Sequence, residues 1–327
     1  MQVVRRGWLY LNRSLQTRPW LLLFGVALLY GFGHTDFRDF QSLTQNPFVT
    51  LADPGRQFLH SSPLIVFLGW PVTHLAGPNV SYLLVSLAGF VALAAAVVAF
   101  LRSLPAGQAE NASLVLLSSP MLLVLLHWIG KSDTFLIALY LATLLVRHRT
   151  WPTIVLWALI IAAHREIGTV VLVGDLILRW KSPIAVVCGG LIGHGLVWTY
   201  LSLLTPKPAD RIDFALALVR NVRTWQQNPV THIVLGPGWL WTILARLAVD
   251  ADGWRFAAVL ALNFAASANT ADFTRDFIMC CTPLIAFASE RFARLKAGNS
   301  GIPWPALFLV QAQVAAGNQV LDSSWTR

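Results

Sequence analysis

The chain has 327 residues, 56% of them hydrophobic and only 12% charged, with a formal charge of +9 and a pI near 10.1. A soluble domain carries roughly twice that charged fraction, and a mean hydropathy of +0.61 with apolar runs along the whole length excludes a soluble fold with one anchor. The positive balance does not point to nucleic acid, because the basic residues are scattered at segment ends and form no basic helix or stripe.

The first apolar run, Pro19 to Phe32, follows Arg5, Arg6, Arg13 and Arg18. No small-x-small cleavage site precedes His34 and further apolar runs follow, so an uncleaved first span is expected. On the yardstick of roughly 20 apolar residues per crossing, spans are expected at 18–34, 79–101, 112–129, 132–147, 151–164, 167–179, 182–204, 230–248, 254–270, 275–290 and 302–318. These number about eleven, and the expected fold is an all-α polytopic transmembrane bundle forming one domain over 1–327.

With the N-terminus in the cytoplasm, the short inner loops receive Arg102, Arg147, Arg149, Arg179, Lys181, Arg246, Arg255, Arg291, Arg294 and Lys296, as the positive-inside rule requires. Most of the acidic residues then face outward. The stretch Ser62 to Ala76 decides the parity. It is apolar but interrupted by Pro63, Gly69 and Pro71, and if it crossed the membrane every later loop would change sides. It is therefore expected to be a re-entrant or horizontal helix within a long first outer loop, 34–78, with 205–229 as the second outer loop. The chain is expected in the cell's inner or plasma membrane. Cys188, Cys280 and Cys281 lie in apolar segments without metal-ligand spacing and read as small buried residues.

Charge gathered at one membrane face suggests a working site. Asp36 and Asp39 directly follow the first span and share a face if the stretch is helical. A carboxylate at the lipid boundary can act as a general base, or the pair can simply mark a solvated helix end. Lys131 and Asp133 precede one span, His164 and Glu166 join two spans, and Arg211, Asp272 and Arg275 fall in later outer segments. Trp225, between Arg223 and Gln226, can stack a sugar ring on its apolar face, whereas most of the 14 tryptophans sit at span ends as interfacial anchors. Asp175, inside a short span, either has a role in function or takes a polar neighbour in the bundle.

The order of these motifs resembles the GT-C-fold glycosyltransferases, polytopic enzymes that take sugars from polyprenyl-phosphate donors. Asp36-Phe37-Arg38-Asp39-Phe40 resembles their first-loop acidic motif, and Ser61-Ser62-Pro63-Leu64 followed by Leu75-Ala76-Gly77 resembles their Pro-Leu to Gly stretch. Gly130-Lys131-Ser132-Asp133 is similar to an outer Gly-x-x-Asp element, and Asp272-Phe273-Thr274-Arg275 to an Asp-x-x-Arg element. The resemblance implies an inverting transfer with Asp36 as general base and Asp39 positioning the acceptor or Arg38. It also implies Arg275 and Lys131, with Arg211 and Arg165 behind them, against the leaving phosphate. Arg275 alternatively pairs with Asp272 or Asp276. His164, Glu166, Asp133 and Asp272 are read as polar contacts to sugar or phosphate. Phe37 stands where a second carboxylate would directly follow Asp36, which counts against metal dependence; no cofactor is assigned, and a divalent cation is the alternative. The expected partners are a polyprenyl-phosphate sugar donor, a lipid or glycan acceptor and membrane lipid. The alternatives are a transporter or flippase, a polysaccharide polymerase of envelope glycan synthesis, and a structural subunit.

Overall fold

The computed structural model describes residues 37–52, 54–105, 112, 132–180, 182–206, 253–267 and 273–293. Among these residues the fold is all-α. It comprises α1 (Phe37–Gln45), a 3-10 helix (Pro54–Ser61), α2 (Pro63–Ala76), α3 (Pro78–Ser103), α4 (Asp133–Val146), α5 (Thr150–Ala163), α6 (Arg165–Arg179), α7 (Pro183–Ser202), α8 (Gly253–Ser267), α9 (Phe273–Cys280) and α10 (Thr282–Ala293). The described part of the chain has no strand beyond the isolated bridge between Val49 and Thr205. The expected spans at 18–34, 230–248 and 302–318, most of 112–129, and the second outer loop past Pro206 lie outside the described residues.

Two helices, α3 with 26 residues and α7 with 20, are long and apolar enough to cross a membrane. At 1.5 Å per residue they reach about 39 and 30 Å, against a hydrocarbon layer of roughly 30 Å. Their flanks carry exposed Leu83, Leu87, Val91, Leu191, Leu196 and Trp198, a surface that suits lipid and not water. The apolar helices α2, α4 and α5 have 14 residues each, about 21 Å of rise.

Packing fixes the direction of each helix. A Cβ built at Gly89 of α3 would meet Thr134 and Phe135 of α4. Ala99 and Ala142 line one groove further along, so α3 and α4 run parallel. Tyr140 of α4 packs edge-on against Trp157 of α5, ring centroids 6.0 Å apart. Glycines allow the closest approach: Cβ atoms built at Gly189 and Gly193 of α7 would lie 2.5 Å from Ile154 O and 2.6 Å from Ile161 Cβ of α5. Small residues four apart let two apolar helices meet backbone to backbone, and α5 and α7 run parallel. Between them α6 runs the other way, with Leu172 against Gly190 and Thr169 against His194. Gly174 of α6 faces Pro283, and Arg179 lies over Phe287, so α10 follows α6 in direction. The upper end is therefore where α3, α4, α6 and α9 begin, and the lower end is where α3, α4, α6 and α10 finish.

Helix α2 joins two points at the upper end. It starts beside Ser61, which bonds Glu166 at the start of α6, and it finishes at Gly77, immediately before α3. It thus lies across the end of the bundle and not along it. Gly77 makes the corner with φ +87°, a conformation that favours glycine. Gly69 lets the helix seat against Phe40 and Thr44 of α1, and its carbonyl accepts a 2.8 Å bond from Ser81.

The single span expected at 275–290 is two helices, broken at Cys281. Pro283 has no N–H for the Met279 carbonyl one turn back, and Thr282 Oγ1 donates to that carbonyl at 2.6 Å instead.

Candidate functional site

Helix α1 forms because Phe40, Leu43 and Thr44 fall on one buried stripe, and Asp39 in its first turn suits the helix dipole. Phe37 and Phe40 pack on Tyr82 at the start of α3, each with ring centroids 5.2 Å apart. Phe135 of α4 packs against the same cluster. Asp39 and Asp133 therefore share the upper end, Asp39 half-buried in α1 and Asp133 buried in the first turn of α4.

His164 and Glu166 stand at the start of α6. His164 closes α5 and caps α6, its Nδ1 accepting from Ile167 N at 3.5 Å. Arg165 Nη2 donates to Glu166 Oε1 at 3.1 Å, and Ser61 Oγ donates to Glu166 Oε2 at 3.0 Å. The 3-10 helix before α2 thus reaches directly onto the His164-Arg165-Glu166 corner. Thr169 Oγ1, one turn further, lies 3.0 Å from His194 Nε2 and extends the polar strip along α7.

Arg275 falls in the first turn of α9. Gly174 faces Pro283 just past the Cys281 break, and α9, on the N-terminal side of that break, packs along α6. Asp276, the next residue, is buried. Asp36, Lys131, Arg211, Trp225 and Asp272 lie outside the described residues. Among the described residues no group of three His, Cys, Asp or Glu side chains could hold a metal ion.

A second set of upper-end residues was not legible in the sequence. His60, the penultimate residue of the 3-10 helix, is fully buried. Leu51 N donates to its Nε2 at 3.1 Å, and its Nδ1 lies 3.1 Å from Tyr200 Oη. Tyr200 Oη donates to Pro47 O at 2.8 Å. Burial removes water from the charged imidazolium and lowers the pKa of His60 to about 4. Thr205 N donates to Phe48 O at 3.0 Å, Thr50 N to Thr205 O at 3.3 Å, and Thr50 Oγ1 also bonds Pro206 O. The segment between α1 and the 3-10 helix and the residues just after α7 are therefore tied together. His60 carried no sequence signal beyond its place three residues before Pro63.

The lower end has a different character. Tyr140 Oη donates to Asp175 Oδ1 at 2.7 Å, and Arg179 Nη1 donates to Tyr140 Oη at 2.8 Å and to Asp175 Oδ1 at 3.1 Å. Glu290 Oε1 lies 3.5 Å from Arg179 Nη2 and 4.0 Å from Arg147 Nη1. Two cations face two carboxylates, so Asp175 sits in a charge-balanced group joining α4, α6 and α10.

Compared with family models, curated proteins and solved structures, the chain matches none.

Proposed function

We propose that the chain is a multi-pass membrane glycosyltransferase, in the inner or plasma membrane with its N-terminus in the cytoplasm and the upper end outside. It moves a sugar from a polyprenyl-phosphate donor to a lipid or glycan acceptor. The observation that carries this reading is the gathering of Asp39, Asp133, His164, Glu166 and the start of the Arg275 helix at one end of the bundle, beneath a loop docked on Glu166. The opposite end holds Arg147, Arg179 and the loop between α6 and α7. That division matches the charge asymmetry expected of a protein oriented by its inner-face arginines. The parallel course of α3 and α4 further supports one crossing between them, expected over 112–129.

In the transfer, an acceptor hydroxyl attacks the anomeric carbon from the face opposite the phosphate. The new carbon–oxygen bond forms as the bond to the phosphate oxygen breaks, and the phosphate leaves with the electron pair. Asp36 takes the hydroxyl proton, and the single displacement from the opposite face inverts the anomeric centre. Asp39, on the helix that directly follows, positions the acceptor. Arg275, with Lys131 and Arg211, meets the charge growing on the leaving phosphate. His164, Glu166, Asp133, Asp272 and Trp225 contact the sugar or phosphate. A divalent cation, if used, would draw on carboxylates of this same end.

The transporter reading drew its support from Asp175. That residue is held by Tyr140 and Arg179 in a balanced group at the lower end, which favours an architectural role. Asp36→Asn is the test: transfer from a polyprenyl-phosphate donor is lost while the protein accumulates in membranes at the wild-type amount. Retained turnover removes Asp36 from the base role.

A further inference from the structure

We propose that His60 and Tyr200 are positioning residues, a one-directional hydrogen-bond relay that fixes the first outer loop on the end of α7 and so sets where Asp39 stands. This rests on the transferase reading only in the importance it gives Asp39.

The direction of the relay follows from its first donor. A backbone N–H can only donate, so Leu51 N makes Nε2 of His60 the lone-pair nitrogen. Nδ1 then carries the hydrogen and donates to Tyr200 Oη. The phenol hydrogen is left for Pro47 O. Both ends of the relay, Pro47 and Leu51, belong to the segment between α1 and the 3-10 helix. Both middle members are buried, His60 at 0% and Tyr200 at 4% exposure. Phe48, Phe67 and His60 surround the Tyr200 ring, with centroids 6.4, 5.5 and 6.1 Å away. The residue after His60 is Ser61, which holds Glu166. Two successive side chains therefore fasten the loop to α7 and α6 at once, and α1 is carried by what they fasten.

Packing alone and the relay predict opposite orders of substitution. A glutamine at 60 keeps one acceptor for Leu51 N and one donor for Tyr200 Oη. A leucine fills space but leaves the buried Leu51 N–H without a partner and removes the donor to the Tyr200 hydroxyl. The full-length protein, in lipid nanodiscs on a Cys188→Ser background, takes spin labels at Gln45→Cys and Leu203→Cys, both exposed positions. Native Cys280 and Cys281 are buried. Electron–electron distance measurement then reads the loop against α7. One narrow distance population is expected for the otherwise unaltered chain and for His60→Gln. That single population is lost, with a longer one appearing, in His60→Leu and Tyr200→Phe. The proposal is overturned if Tyr200→Phe keeps the single population, or if His60→Leu holds it as well as His60→Gln. If His60→Leu fails to accumulate, Tyr200→Phe, which removes one oxygen, decides alone. The readout needs no substrate, so a protein without transferase activity but with the expected distances would refute the functional reading and leave the relay standing.

Discussion

Asp175 offers the sharpest separation of architecture from chemistry. Its side chain is 9% exposed and its carboxylate bonds Tyr140 Oη and Arg179 Nη1 at 2.7 and 3.1 Å. Arg179 has a side chain 4% exposed, and its remaining charge partner, Glu290, is at 3.5 Å and shared with Arg147. Asp175→Leu therefore leaves a buried guanidinium without its close counter-ion. Breaking a buried pair from one side costs about 3–5 kcal/mol. For a chain of this size each kcal/mol lowers the melting temperature by about 2 °C, so the midpoint falls by about 6–10 °C. Removing both charges, Asp175→Leu with Arg179→Met, recovers most of that loss, because an apolar pair of similar volume has no charge to desolvate. The assay is thermal unfolding of purified protein in one detergent, with transfer measured at a temperature where both variants are folded. The single variant is expected to be less stable but active when folded. Unchanged stability in Asp175→Leu, or activity lost in both variants at wild-type stability, refutes an architectural role.

Other expectations follow from the same contacts. Gly193→Val drives a branched side chain into Ala158 O and Ile161 of α5, lowering stability by about 2 kcal/mol or more in thermal unfolding. His60 has a folded pKa of about 4, below the 6.5 of an unfolded histidine, so its contribution is complete above about pH 6.5 and lost as pH falls toward 4. The loss reaches about 2 kcal/mol once partial solvation is allowed for, and His60→Gln removes that part of the pH dependence in a melting series. Glu166→Ala takes the acceptor from Ser61 and the partner from Arg165, and lowers transfer by about tenfold at unchanged accumulation in membranes. Arg275→Ala raises the donor KM by about tenfold and spares the acceptor KM, since a guanidinium meets phosphate and not hydroxyl; equal effects on both would argue against phosphate contact.

Apolar runs located most described helices to within a few residues: 132–147 became Asp133–Val146, and 182–204 became Pro183–Ser202. Long runs bounded by charge or proline leave little freedom in where a helix ends. The break at Cys281 was missed because Thr282-Pro283 sits in a continuous apolar stretch, and hydropathy does not register a missing N–H. Pro63, Gly69 and Pro71 set the Ser62–Ala76 stretch apart from the other apolar runs in the sequence, and α2 fills it as Pro63–Ala76. Asp175 was expected either to function or to take a polar neighbour, and that neighbour is Arg179, four residues on along the same helix. Ser61 with Glu166 and His60 with Tyr200 are separated by 105 and 140 residues, and nothing local in either partner announces the other. Pairings of that kind are set by how α2, α6 and α7 pack, so they become visible only with the fold.

Impermeant thiol labelling of intact, correctly oriented membranes tests the common face most directly. Single cysteines replace Asp36, Asp39, Glu166 or Arg275 on the Cys188→Ser background, with Arg147→Cys as the lower-end reference. The account predicts that the first four react from outside and Arg147→Cys only after the membrane is opened. Asp36→Cys and Arg275→Cys reacting from opposite sides would contradict it.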